Sequence, residues 1–110
     1  MIRFAETTPQ FAPGDLVQHL RHGYRGVVVA VDPRCQASAD WYLANQTQPD
    51  QNQPWYHVLV DSSGATTYAA QGNLQVDQSA EPVDHPLVDK FFSGFCHGKY
   101  VRNQQAWLGW

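Results

Sequence analysis

Between Arg25 and Pro33 the chain reads Arg-Gly-Val-Val-Val-Ala-Val-Asp, and this stretch limits the fold more than any other. Val27 to Val31 is an unbroken aliphatic run rich in β-branched residues, which crowd a helix but fit an extended, pleated backbone. A strand with one wet face alternates apolar and polar residues; this one does not, so it is expected to be covered on both faces. It is far too short to cross a bilayer. Pro33, which has no N–H to give a neighbouring strand, ends it.

Four more short extended segments surround it. Pro13-Gly14-Asp15 is a turn feeding a strand from Leu16 to Leu20, and Arg21-His22-Gly23-Tyr24 supplies a glycine-containing hairpin loop. Trp55 to Asp61 follows, with Tyr56, Val58 and Val60 on one face and Trp55, His57 and Leu59 on the other. Ser62-Ser63-Gly64 turns the chain into Ala65 to Ala70, and Gly72-Asn73 turns it into Leu74 to Val76. Five strands this short leave exposed edges unless they curl round, so the expected class is all-β, mainly, as a small closed barrel over residues 11–84.

The remaining segments are less regular. Residues 1–10 are polar and expected to be flexible. Within the long loop 33–54, Ser38 is placed to cap a helical turn through Ala39, Asp40, Trp41 and Tyr42. The rest of that loop is dense in Asn, Gln, Asp and Pro, and a loop of this length is either functional or mobile. Beyond Asp84, His85-Pro86 opens a stretch in which Leu87, Val88, Phe91, Phe92 and Phe95 recur at helical spacing, with Gly98 as the stop. This predicts one C-terminal helix, its apolar stripe either covering an end of the barrel or meeting a partner. The tail, with Tyr100, Trp107, Leu108 and Trp110, either packs on the body or contacts another subunit, and the oligomeric state stays open.

Composition excludes several function classes. At 110 residues the chain holds one domain, and its 43% hydrophobic content supplies a core without metal or disulfides. Seven Lys and Arg against ten Asp and Glu give a net charge of −3, so the long-range positive field of a strong nonspecific nucleic-acid binder is missing. Cys35 and Cys96 are too few for a disulfide scaffold, and the first residues lack the apolar segment of a signal peptide. A cytoplasmic location with free thiols, and no membrane, is therefore expected.

Chemistry is equally sparse. His19 and His22 lack further ligands at metal-binding spacing, and Cys96-His97 are expected to diverge at a helix end. No phosphate-cradling glycine loop and no paired acid and base occur, so neither a catalytic residue, a metal site nor a cofactor is expected.

Two features can carry binding. The hairpin gathers Arg21, His22, Tyr24 and Arg25; guanidinium groups pair with phosphate or base edges and a tyrosine ring stacks. An ordinary solvated hairpin with Tyr24 packed inward would look the same. Trp55 and His57 share a strand face that forms either an aromatic anchor for a protein partner or a plug for one end of the barrel.

The motifs Phe11-x-Pro13-Gly14-Asp15-x-Val17-x-His19, Gly23-Tyr24-Arg25-Gly26-Val27-Val28-Val29-x-Val31-Asp32-Pro33 and Pro54-Trp55-Tyr56-His57-Val58-Leu59-Val60, followed by Tyr68 through Asn73-Leu74, resemble the YccV-like family. That family is also called the hemimethylated DNA-binding domain and includes the heat-shock protein HspQ. The resemblance covers about residues 11–88. It implies an SH3-like barrel without catalytic activity, whose partner is either DNA, hemimethylated DNA in particular, or an ATP-dependent protease and its clients, for which it acts as an adaptor. The Phe-rich segment and aromatic tail after Asp84 depart from HspQ.

Overall fold

The Val27–Val31 run forms the middle of the structure. In the computed structural model, which describes residues 8–45 and 48–109, the elements in chain order are β1 (Leu16–His19), β2 (Arg25–Asp32), α1 (Ala39–Ala44), β3 (Trp55–Val60), β4 (Thr66–Ala70), β5 (Leu74–Val76), α2 (Val88–Phe91), β6 (Phe92–Cys96) and β7 (Lys99–Arg102). The first five strands make one antiparallel sheet in the order β4-β3-β2-β1-β5, and β6 and β7 make a separate hairpin. All five expected strands are present, two with the bounds read from sequence and the others one residue shorter.

Val27, Val28 and Val29 are fully buried, on two sides. Val27 and Val29 join Leu16, Leu59, Phe91, Phe92 and Tyr100 in one cluster. Val28 joins Phe11, Val17, Tyr56 and Val58 in another. A register shift between Val28 and Ala30 inserts one residue into β2, so Val29 and Ala30 both face the first cluster while Val31 returns to the second. Gly26 allows the close crossing of β2 and β3, since a Cβ there would lie 2.3 Å from the Leu59 carbonyl oxygen.

The expected C-terminal helix is not one. Helical backbone lasts for the four residues Val88–Phe91, after which the chain is a β-hairpin. His97 and Gly98 both take positive φ, 54° and 74°, which is the two-residue turn that matches strand twist; Gly98 is a hairpin residue, not a helix stop. Phe92 and Phe95, three apart, still share a face because the ladder shifts by one residue between Phe92 and Gly94, and both rings contact Tyr100, at 5.3 and 4.6 Å. A spacing of three thus fits a bulged strand as well as a helix. Ser93 and Gly94, weak helix formers, decide between the two. The turn also brings Cys96 Sγ to 3.3 Å from His97 Nδ1, where divergence was expected.

The long loop is tied to the sheet. Ser38 caps α1 as expected, accepting the Trp41 N–H at 3.1 Å. The Tyr42 hydroxyl bonds the carbonyls of Gln48 and Pro49, and Trp55 Nε1 donates to the Asp50 carbonyl. Of the N-terminal segment expected to be flexible, residues 1–7 lie outside the described residues; Gln10 N–H donates to the Gln71 side chain at 2.8 Å, and Gln71 Nε2 donates to the Thr8 carbonyl at 3.3 Å. In the tail, Trp107 packs against Phe91 and His57, while Trp110 lies outside the described residues.

Candidate functional site

The β1–β2 hairpin is held by its own backbone: His19 N–H donates to the Tyr24 carbonyl and Gly23 N–H to the His19 carbonyl. His19 Nδ1 accepts the N–H groups of both Arg21 and His22 at 3.1 Å, so the proton of the neutral ring sits on Nε2. Burial, with His22 and Arg21 close by, holds the His19 pKa below its ordinary value. Its ring stacks on His22 at 4.6 Å and lies 5.0 Å from Tyr24. The Tyr24 hydroxyl pairs with Thr67 Oγ1 at 2.7 Å, fixing the hairpin against β4, and burial raises the phenol's pKa.

Facing this hairpin, α1 stands its rings against the sheet. Trp41 meets Trp55 and Tyr68 edge-on at 6.2 and 5.7 Å, and Trp55 lies 5.2 Å from Tyr68. Between hairpin and α1 runs a groove of about 800 Å³, floored by β4. Among the described residues its lining contains aromatic rings, imidazoles, amides and hydroxyls and no Lys, Arg, Asp or Glu.

Behind Tyr68 lies a polar layer. The Tyr68 hydroxyl donates to Asp32 Oδ2 at 2.6 Å and accepts the Gln36 N–H at 3.0 Å. His57 Nε2 is 3.2 Å from the same Asp32 oxygen, and its ring lies tilted against Tyr68 at 4.4 Å. Burial and the Asp32 carboxylate together push the Tyr68 phenol well above its ordinary pKa. Burial lowers the His57 pKa and outweighs the opposing pull of Asp32.

The structure places the sequence-nominated residues differently from one another. His22 and Tyr24 line the groove, and exposed Arg21 lies between lining residues His19 and His22. Arg25 points elsewhere: its guanidinium is 2.9 Å from both Asp61 and Asp77 and also bonds the carbonyls of Glu81 and Pro82. Tyr24, the loop residue before it, turns instead to Thr67 on β4. Trp55 lines the groove as a buried wall, 2% exposed, and His57, 4% exposed, sits behind Tyr68 away from the lining. Trp41, Tyr68, Gln36, Asn45 and Asn73 were not nominated yet belong to the groove. The Ser38 cap is the sequence signal that points to Trp41, whereas Tyr68 is placed by its pairing with His57 in the β3–β4 register. Among the described residues, no group of three metal-ligating side chains converges.

The family described as hemimethylated DNA-binding protein YccV-like matches residues 9–99. F-box only protein 21 of Homo sapiens, Mus musculus and Pongo abelii is 32% identical to the chain over 98 residues, which is 86% of it. The chain spans only 15 to 16% of the length of those relatives. With nearly all of its ordered core inside the family match, the chain belongs to the YccV-like family of hemimethylated DNA-binding proteins.

Proposed function

We propose that the chain is a non-catalytic module that binds DNA, hemimethylated DNA in particular, through the groove between the β1–β2 hairpin and α1. The groove carries this reading, because it joins stacking surfaces and amides in one concave site of ligand size, about 800 Å³. Family membership supports the ligand class. Phosphate contacts fall to the rim. Arg21 is exposed beside the lining, Arg34 is exposed two residues before lining Gln36, and among the described residues neither is in an ion pair. We read the sheet as an SH3-like barrel: outermost strands β4 and β5 are consecutive, joined by a 3-10 turn over Gln71–Asn73, as closure of a five-stranded barrel needs. Titrating hemimethylated and unmethylated duplexes of one sequence tests the reading. Preference for the hemimethylated form supports it; no binding, or equal binding, removes the specific claim.

A second reading, an adaptor for an ATP-dependent protease, is favoured by the scarcity of uncommitted cations and by apolar exposure near the groove. Leu20, Trp41 and Leu43 are 55, 37 and 63% exposed, and low charge with exposed aromatics suits protein contact. The small share of the F-box relatives that the chain matches also suits a module within a larger protein. Nuclease-treated capture comparing wild type with Trp41→Ala and Leu43→Ser tests it; equal recovery by all three rules out this surface.

A further inference from the structure

We propose that the groove takes a nucleobase that has left its stack, so that the duplex this chain selects is locally opened at that base and not closed throughout. The inference rests on the DNA-binding reading and names the form of the ligand.

The shape of the site is the first argument. Closed duplex is read by an element that projects into a groove of the DNA. Here the chemistry lies on the walls of a cleft in the protein, between Tyr24 on one side and Trp41 on the other. A base inside a duplex cannot reach such walls; one that has left the stack can.

Lining chemistry agrees. Walls on which the described residues include no Lys or Arg offer a phosphate little, but a base presents a flat π face and an edge of donors and acceptors. Trp41 is partly exposed, and lining Asn73 brings a carboxamide that makes no hydrogen bond among the described residues. An amide of this kind pairs with both a donor and an acceptor on an adenine edge. The cations lie outside the lining, at Arg21 and Arg34, where the sugar-phosphate chain would stay while its base enters.

The test uses the full chain with three oligonucleotides of one sequence: the methylated single strand, the matched hemimethylated duplex, and that duplex with one central mismatch. The single strand is expected to bind at least tenfold more tightly than the matched duplex, with the mismatched duplex between them. Trp41→Ala is expected to lower single-strand affinity roughly tenfold, the scale of one base–aromatic stack. Asn73→Ala, which leaves the rings in place, covers the case in which Trp41→Ala disturbs folding, and should weaken single-strand binding more than duplex binding. Equal affinity for all three DNAs overturns the inference while leaving DNA binding intact. Binding of none overturns both. A Trp41 indole N–H resonance that moves with an extended apolar peptide but with no oligonucleotide also overturns it, and gives the groove to the protein reading.

Discussion

The backbone N–H of Tyr100 donates to the carbonyl of Gly14 at 2.9 Å, and the two residues meet so closely that no side chain fits at position 14. A Cβ there would lie 2.1 Å from the Tyr100 carbonyl oxygen, and Gly14 itself has φ of +102°. The Tyr100 hydroxyl also accepts the Val83 N–H at 2.8 Å. This is where the C-terminal hairpin joins the five-stranded sheet.

Gly14→Ala is therefore expected to cost more than Gly23→Ala. Both glycines have positive φ, but a Cβ at Gly23 meets nothing within 4 Å. Backbone strain alone is worth about 1 kcal/mol or slightly more, so Gly23→Ala measures that part and Gly14→Ala adds the clash. Urea denaturation of both variants checks it, and equal losses would refute the role given to the joint.

Arg25 is a structural residue, and Arg25→Ala is expected to lower stability by about 2 kcal/mol, the scale of a charge-assisted hydrogen-bond cluster. Burial alone would raise the pKa of Asp61 and Asp77. The Asp84 N–H on Asp61, the Ser79 hydroxyl on Asp77 and the Arg25 guanidinium on both reverse that, so both carboxyls lie below their ordinary 3.8. Their stabilisation is complete above the ordinary value and is lost as pH falls through the depressed folded values. Acid unfolding of wild type should be steeper below pH 4 than that of Arg25→Ala, whereas DNA affinity of the folded variant should be unchanged.

A second pH effect comes from His19 and His57, both depressed below 6.5 chiefly by burial. As pH falls below 6.5 the unfolded chain takes up protons before these rings do in the folded one. Stability should thus be full above that pH, decline below it and level off beneath the folded values. His57→Gln should flatten part of the decline between pH 7 and 5 in thermal melts; an unchanged slope would contradict the placement of His57 behind Tyr68.

Salt dependence counts the phosphates. If Arg21 and Arg34 are the contacting cations, log affinity for duplex should fall against log salt with a slope of about −1.8, and Arg21→Ala should reduce it by about 0.9. A slope steeper than about −4 would require cations that the structure commits elsewhere: Arg25 to Asp61 and Asp77, Arg102 to the Val29 carbonyl, Lys99 beside Asp15.

The strands of the main sheet were legible because each has its own apolar pattern and its own turn residues. Even the double coverage of Val27–Val29 was readable from the missing alternation. The C-terminal hairpin was not, since one inserted residue puts Phe92 and Phe95 on one face and mimics a helical stripe. The site was half legible. Tyr24 and Trp55 were nominated for separate surfaces, but only folding of the 33–54 loop over β4 places them on one groove. Arg21 and Arg25 part because Arg21 sits in the hairpin turn while the Arg25 guanidinium is drawn to Asp61 and Asp77, distant carboxylates that no local pattern pairs with it.

The joint at Gly14 also decides where this domain can be cut. Similarity to the family stops at residue 99, one position before Tyr100. A fragment trimmed at that limit would lose the ring on which Phe92 and Phe95 rest and the guanidinium of Arg102 that bonds Val29 in the central strand. Its failure to bind anything would report a collapsed interior, not a missing contact surface.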